Sequence, residues 1–316
     1  MHPDGARILR EVNRVIKGKE EACTKVLMAL LAGGNVLLED VPGVGKTTMA
    51  MAFARALGLS SKRIQFTPDT MPSDIIGFSV YDKERGALVY KPGAVATNLL
   101  LADEINRTSS RTQAALLEVM AEKKVTVDGI THKLPEPFFV FATENPLGSA
   151  GTQMLPHSQL DRFMIRLSLG YPSLESQIEL MSERAGRDPL DEVEPVLSRE
   201  ELLAISKAVH NLYIDRRVYD YIARLVEATR QNALLTLGVS PRGALALCEM
   251  ARAAAFLAER DYVTPGDVRS VFNDVCGHRV VLSPKARLNE RSAAEILDSV
   301  KQQVARPETM PADPAR

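Results

Sequence analysis

Asn35-Val-Leu-Leu-Glu-Asp-Val-Pro-Gly-Val-Gly-Lys-Thr-Thr48 decides the fold: an apolar run, a tight glycine loop, then Lys46-Thr47 opening a helix. A triphosphate carries several negative charges, and a loop that ends at a helix N-terminus meets them with unpaired N–H groups and the positive end of the helix dipole. Gly43 and Gly45 let the backbone approach without a Cβ in the way. Val41, Pro42, Gly43, Val44, Gly45, Lys46, Thr47 and Thr48 are therefore the predicted phosphate cradle. In this reading Lys46 reaches the β- and γ-phosphates of ATP, and the Thr47 hydroxyl takes one Mg²⁺ position. The general pattern places glycine five residues before Gly45, where this chain has Asp40. The first turn is thus expected to fall to a residue that tolerates strained backbone less well than glycine. The competing reading is a glycine-containing strand-to-helix turn with an incidental lysine.

The flanks supply the context such a loop needs: a strand at Val36 to Leu38 before it, and a helix from Lys46 to about Leu57, ended by Gly58. Further on, Leu99-Leu-Leu-Ala102 reads as a buried strand with Asp103-Glu104 at its carboxyl end, the edge where open parallel α/β sheets bind ligands. There Asp103 can hold Mg²⁺ through water and Glu104 can orient or deprotonate the attacking water. Two adjacent acids could also be a helix cap and its neighbour. Phe138-Phe-Val-Phe-Ala142 is another buried strand, and Asn145 follows it at the same edge, placed to hold the water or touch the γ-phosphate. Two segments interrupt the alternation of helix and strand. Thr70 to Val95 is turn-rich with β-like pieces at Phe78–Tyr81 and Ala87–Tyr90, and Lys124 to Leu134 reads as a hairpin turning at Asp128-Gly129.

With 316 residues the chain can form one large or two medium domains. Its net charge of −1 leaves no basic footprint for bulk nucleic acid or anionic membrane. Cys23, Cys248 and Cys276 are odd in number and far apart, as expected of apolar fillers in a reducing cytoplasm. No window approaches a membrane span, and the N-terminus has no targeting pattern. Beyond Tyr171-Pro172 the periodicity becomes helical throughout, with Ser198, Asp215, Ser240 and Thr264 as N-cap candidates. The expected organisation is an α/β nucleotide-binding domain over 1–171, a helical lid over 172–305 and a disordered, proline-rich tail over 306–316.

Five motifs in order carry a resemblance: Val-Pro-Gly-Val-Gly-Lys-Thr47, Leu-Ala-Asp-Glu-Ile-Asn-Arg107, Thr-Gln-Ala-Ala-Leu-Leu-Glu118, Ala-Thr-Glu-Asn-Pro146 and Gln-Leu-Asp-Arg-Phe163. Together they resemble the MoxR family of AAA+ ATPases, from about Arg7 to Val304. The resemblance implies a parallel-sheet P-loop core with β-hairpin insertions and a helical lid, and variation tolerated at the Asp40 position. It implies a self-assembled ring, usually hexameric, with the two insertions facing its pore. Arg162 matches the arginine finger that reaches a neighbouring subunit's site, although a salt bridge to Asp161 or a nearby acid is the alternative from the residues alone. Arg107 and Arg111, near the Asp103-Glu104 corner, could share that role. Arg242, in Ser240-Pro-Arg-Gly243, resembles the family's sensor 2 arginine; a cation at a helix start is otherwise mildly unfavourable. Family partners are a protein with a von Willebrand factor A domain and a protein client to be remodelled or assembled. A metal-chelatase-type cofactor-inserting subunit and a nucleic-acid motor are the alternatives.

Overall fold

The computed structural model describes residues 1–145, 154–183 and 189–307. The chain divides into two compact units, one of Pro3–Ile205 and one of Ser206–Arg316 together with Met1–His2. The first contains α1 (Pro3–Val15), α2 (Glu20–Leu31), β1 (Val36–Glu39), α3 (Lys46–Ala56), β2 (Ser61–Gln65), α4 (Pro72–Ile76), β3 (Phe78–Asp82) and β4 (Ala87–Lys91). It continues with β5 (Leu99–Asp103), α5 (Ser110–Glu122), β6 (Lys124–Val127), β7 (Ile130–Lys133), β8 (Phe139–Glu144), α6 (His157–Leu160), β9 (Ile165–Leu167) and α7 (Leu174–Glu183). Helix α8 (Arg199–His210) leads into the second unit.

Apolar runs such as Leu99–Ala102 have no polar face to turn to water, so they fit only where helices cover both sides of a sheet. The five-stranded sheet meets that need, with order β2-β5-β8-β1-β9 and every pairing parallel. β5 and β8 are buried along their whole length, while the edge strand β2 is largely open. Parallel strands end at one edge. Register sets Ala102 beside Ala142, Leu38 beside Thr143 and Glu39 beside Glu144, so the residues that follow all three strands share that edge.

Both insertions form separate two-stranded sheets, β3 with β4 and β6 with β7. Asp128 and Gly129 take φ of 50° and 78°, the pair of positive values that a tight hairpin turn requires. The first insertion also contains α4, a single turn too short to read by periodicity. Tyr90 of β4 stacks on His132 of β7 at 4.0 Å, tying the two hairpins together.

The units divide at 205/206, further along the chain than the expected boundary at 171/172. The reason lies in the bonds of the intervening residues. Lys19 Nζ donates to the Tyr171 carbonyl at 2.9 Å, Arg55 pairs with Asp191 at 3.0 Å, and the Val196 amide donates to the Ala56 carbonyl at 2.8 Å.

The second unit is helical, built on α9 (Arg216–Arg230), β10 (Leu235–Leu237), α10 (Pro241–Leu257), α11 (Pro265–Cys276), β11 (Val281–Leu282), α12 (Pro284–Leu288) and α13 (Ala293–Gln303). Its helix starts follow the cap chemistry of the sequence: Ser240 accepts the Gly243 amide at 3.0 Å, and Thr264 with Asp267 forms a reciprocal capping box. β10 and β11 add a short antiparallel pair to the otherwise helical lid. Three residues facing two give too little alternation to signal a strand. The three cysteines are free and buried, and burial pushes the thiols of Cys23 and Cys276 up to about 12 and that of Cys248 to about 11. Among the described residues no helix is long and apolar enough to cross a membrane. Residues 308–316 of the expected tail lie outside the described residues.

Candidate active site

The glycine loop follows β1 and hands over to α3 at Gly45, whose φ of 92° turns the chain into the helix. Gly43 has φ of 87°. A Cβ at either position would meet no described protein atom within 4 Å. Packing therefore does not demand glycine at these two positions; left-handed backbone and close approach of a phosphate do. Lys46 is buried, with Nζ donating to the Asp40 carbonyl at 2.5 Å and the Glu144 carbonyl at 3.5 Å. Burial pulls its amine below the ordinary lysine value, against the opposing pull of Asp40, Asp103 and Glu104. A triphosphate would give that ammonium better partners than two carbonyls.

Asp40 departs from the strained turn expected of it. Its backbone lies outside the left-handed region, and its buried carboxylate is a clasp. Oδ1 accepts the Val41 amide at 2.9 Å; Oδ2 accepts the amides of Leu169 and Gly170, both at 2.6 Å, and the Ser168 hydroxyl at 3.0 Å. Burial pushes this carboxyl up, but the bonds from Gly170, Ser168, Val41 and Leu169 together outweigh it and hold the group below the ordinary carboxylate value.

Asp103 ends β5 at the same sheet edge. Its Oδ1 accepts the Thr143 hydroxyl at 2.5 Å and its Oδ2 pairs with Arg63 at 2.6 Å. The Thr143 oxygen also accepts the Glu104 amide at 2.8 Å, so one hydroxyl on β8 fixes both acids. Glu104 takes left-handed backbone, φ 55° and ψ 52°, uncommon outside glycine and a recurrent feature of functional positions. Its Oε2 pairs with Arg107 at 2.7 Å. Asn145 is half-buried just past β8, and its carbonyl accepts the Asn106 side-chain amide at 3.0 Å. The structure thus brings residues 41–48, Asp103, Glu104 and Asn145 to one edge.

Arg162 lies just past α6, and among the described residues it makes no hydrogen bond to the groups of this corner. Its guanidinium donates to the Leu117 carbonyl in α5, and its buried Nε meets no hydrogen-bond partner among the described residues. Arg242 is exposed in the first turn of α10, in the other unit.

The structure adds groups that no local pattern announced. Arg63 and Thr143 hold Asp103 from neighbouring strands. A cavity of about 380 Å³ beside the loop is walled by Val15, Ile16 and Lys17 at the end of α1 and by Pro172, Gln177 and Met181 around α7, with Gly43, Val44, Gly45 and Thr48 across from them. A partly apolar slot next to a phosphate cradle suits a nucleoside.

Glu144 stands out among the missed groups. It is 3% exposed; burial first, then the neighbouring Glu39, pushes its carboxyl up to about 6, against the Leu155 amide and Arg166. Its Oε1 has no hydrogen-bond partner among the described residues. Between its ordinary 4.5 and about 6 the folded chain holds a proton that the unfolded chain has lost, so stability falls as pH rises through that window. Full ionisation above it costs about 2 kcal/mol. Glu144→Gln is therefore expected to stabilise the chain by roughly 1–2 kcal/mol at pH 7.5 and by almost nothing at pH 4, as read from urea unfolding midpoints.

Strand order, glycine loop and paired strand-end acids together define a P-loop ATPase of the AAA+ class with a helical lid. Residues 35–165 match the ATPase family associated with various cellular activities (AAA), and residues 227–300 match the AAA lid domain. The chain is 45% identical to the uncharacterized protein YeaC of Bacillus subtilis (strain 168), over 97% of both chains. It is 40% identical to the chaperone MoxR1 of Mycobacterium tuberculosis (strain ATCC 25618 / H37Rv), over 96% of this chain and 82% of that one. A crystal structure of a candidate ATPase from Cytophaga hutchinsonii superposes with a TM-score of 0.90 at 35% identity, covering 96% of this chain and 95% of its own. The chain belongs to the MoxR family of AAA+ ATPases.

Proposed function

We propose that this ATPase works as a ring, most simply a hexamer, that spends Mg²⁺-ATP to remodel or assemble a protein client in the cytoplasm, with a von Willebrand factor A domain protein as partner. The observation that carries the client reading is the apolar dressing of the insertions. Phe78, Tyr81, Leu88 and Ile130 are each more than half exposed on two small sheets joined by the Tyr90–His132 stack. An isolated hairpin gains nothing from exposing large apolar side chains unless it meets another chain. The mycobacterial relative is named a chaperone, which points the same way.

In this reading residues 41–48 hold the phosphates and the slot beside them holds the base and ribose. The donor set fits Mg²⁺, which is usually bound through one or two protein oxygens plus phosphate and water; Thr47 and Asp103 would supply them. When bound, the ion neutralises charge on the phosphates. Glu104 takes the proton of the attacking water, Asn145 orients that water, Arg162 serves the neighbouring subunit and Arg242 reports the γ-phosphate to the lid. Arg63, paired with Asp103 Oδ2, stands beside the carboxylate that would hold the ion.

The test uses the full chain. With ATP, the Glu104→Gln variant should sediment as a six-subunit species and bind a purified von Willebrand factor A domain protein from the same organism. Replacing Tyr81 and Leu88 together by Ser should keep the basal ATPase rate and abolish remodelling of the bound client. A monomer at tens of micromolar protein with ATP would defeat the ring.

A further inference from the structure

We propose that Asp40 is a positioning residue for the nucleotide: its carboxylate joins the two walls of the pocket, and its carbonyl sets the resting place of Lys46. The inference rests on residues 41–48 being the phosphate loop.

The two walls come from distant parts of the chain. One is the loop itself, beginning at Val41. The other begins where the chain leaves β9, at Ser168, Leu169 and Gly170, and continues into Pro172, Gln177 and Met181, which line the cavity opposite Gly43–Gly45. Asp40 bonds to the first residue of one wall through Oδ1 and to the root of the other through Oδ2. Its main chain is fixed as well: the amide donates to the Glu144 carbonyl at 3.1 Å, and the carbonyl receives Lys46 Nζ. Six hydrogen bonds from four segments of the pocket thus converge on a single residue.

The chemistry of the contact explains why a side chain is needed. Successive amides at Leu169 and Gly170, with Gly170 at φ 61°, point at one oxygen and make the concave N–H arrangement that favours an anion. Glycine in place of Asp40 would leave those donors without their acceptor, and a buried unmet donor is costly. Bonds to a charged acceptor are also short and strong, so the clasp holds a defined separation between the walls. The carboxylate, held below its ordinary value, stays charged throughout the working pH range.

The test compares Asp40→Ala, Asp40→Gly and Asp40→Asn in the full chain, reading affinity for a fluorescent ATP analogue and for ADP, steady-state ATPase and the nucleotide-free melting temperature. Alanine and glycine should weaken both nucleotides by about 10- to 100-fold, since all four charge-assisted hydrogen bonds of the clasp are lost. KM should rise in parallel, with kcat at saturating ATP falling far less than kcat/KM. Asparagine, which keeps the shape and one acceptor oxygen, should fall between them and the wild type. Glycine binding ATP as tightly as the wild type would overturn the proposal, as would a lowered melting temperature with KM unmoved. If alanine and glycine fail to fold, the asparagine variant decides: at least threefold weaker ATP binding upholds the role and unchanged affinity refutes it. Lys46→Ala is the control. Should it bind ATP normally, the loop assignment itself fails, an outcome distinct from any result at Asp40.

Discussion

Glu104→Gln lowers the ATPase rate by about 10²–10⁴-fold, the usual worth of a general base, while ATP affinity changes by no more than a few-fold. The expectation follows from where the carboxylate is and how it is held. The residue lies one step past the end of β5, in left-handed backbone fixed by the Thr143 hydroxyl on its amide. Glutamine preserves that backbone, the side-chain volume and one acceptor for Arg107, so the pocket keeps its shape and only the proton acceptor is lost. The Arg107 pair makes the test sharper. A guanidinium 2.7 Å from Oε2 occupies one of the two carboxylate oxygens that could take the proton of a water. Arg107→Ala should therefore change the rate in the opposite sense to Glu104→Gln, or leave it unmoved, if the ion pair is a resting state. Phosphate release in single turnover, beside equilibrium nucleotide binding, separates the two. Wild-type turnover by the Glu104 variant would show that another group activates the water.

Which of these residues could be read before folding depends on how far each one's partner lies along the chain. Gly43, Gly45, Lys46 and Thr47 form a contiguous device whose turn chemistry and helix start are local, and the structure has the strand, loop and helix that the sequence predicts. Asp128-Gly129 was legible for the same reason, since a two-residue turn needs only its own φ values. Asp103 and Glu104 were legible because a fully apolar strand can end only at a sheet edge. Asp40 looked awkward because its meaning is held by residues 128 to 130 positions later, and no spacing rule reaches that far. Arg63 lies 40 residues from Asp103 and meets it only because β2 pairs with β5. The cavity walls at Val15–Lys17 and Pro172–Met181 likewise exist only after the chain closes on itself. The Glu104–Arg107 pair was the exception: its spacing of three residues put it within reach of a sequence reading, which placed Arg107 at that corner as a possible finger.

The second large effect concerns Arg162. Removing an arginine finger costs about 10³–10⁵ in rate in NTPases that use one, so Arg162→Ala should be nearly inactive with nucleotide binding intact. Inactivity alone would not distinguish a finger from a structural residue, because Arg162 also ties its own segment to the Leu117 carbonyl of α5. Mixing resolves it. In a ring with head-to-tail contacts, an Arg162→Ala subunit retains Glu104, and a neighbouring Glu104→Gln subunit retains Arg162. Random assembly of equal amounts places such a complementary pair at about one interface in four, so the mixture should recover roughly a quarter of the wild-type rate from two inactive parents. An arginine acting within its own chain gives no recovery, because each subunit then lacks one half of its own site. A collapsed segment gives none either, and is recognised separately by a lowered melting temperature of Arg162→Ala before mixing. Recovery thus requires that the guanidinium, bound to α5 within its own chain, completes a site on the next one. The exposed Arg242 then becomes the remaining cation to place, and the same mixture made with Arg242→Ala decides whether it acts in cis or in trans.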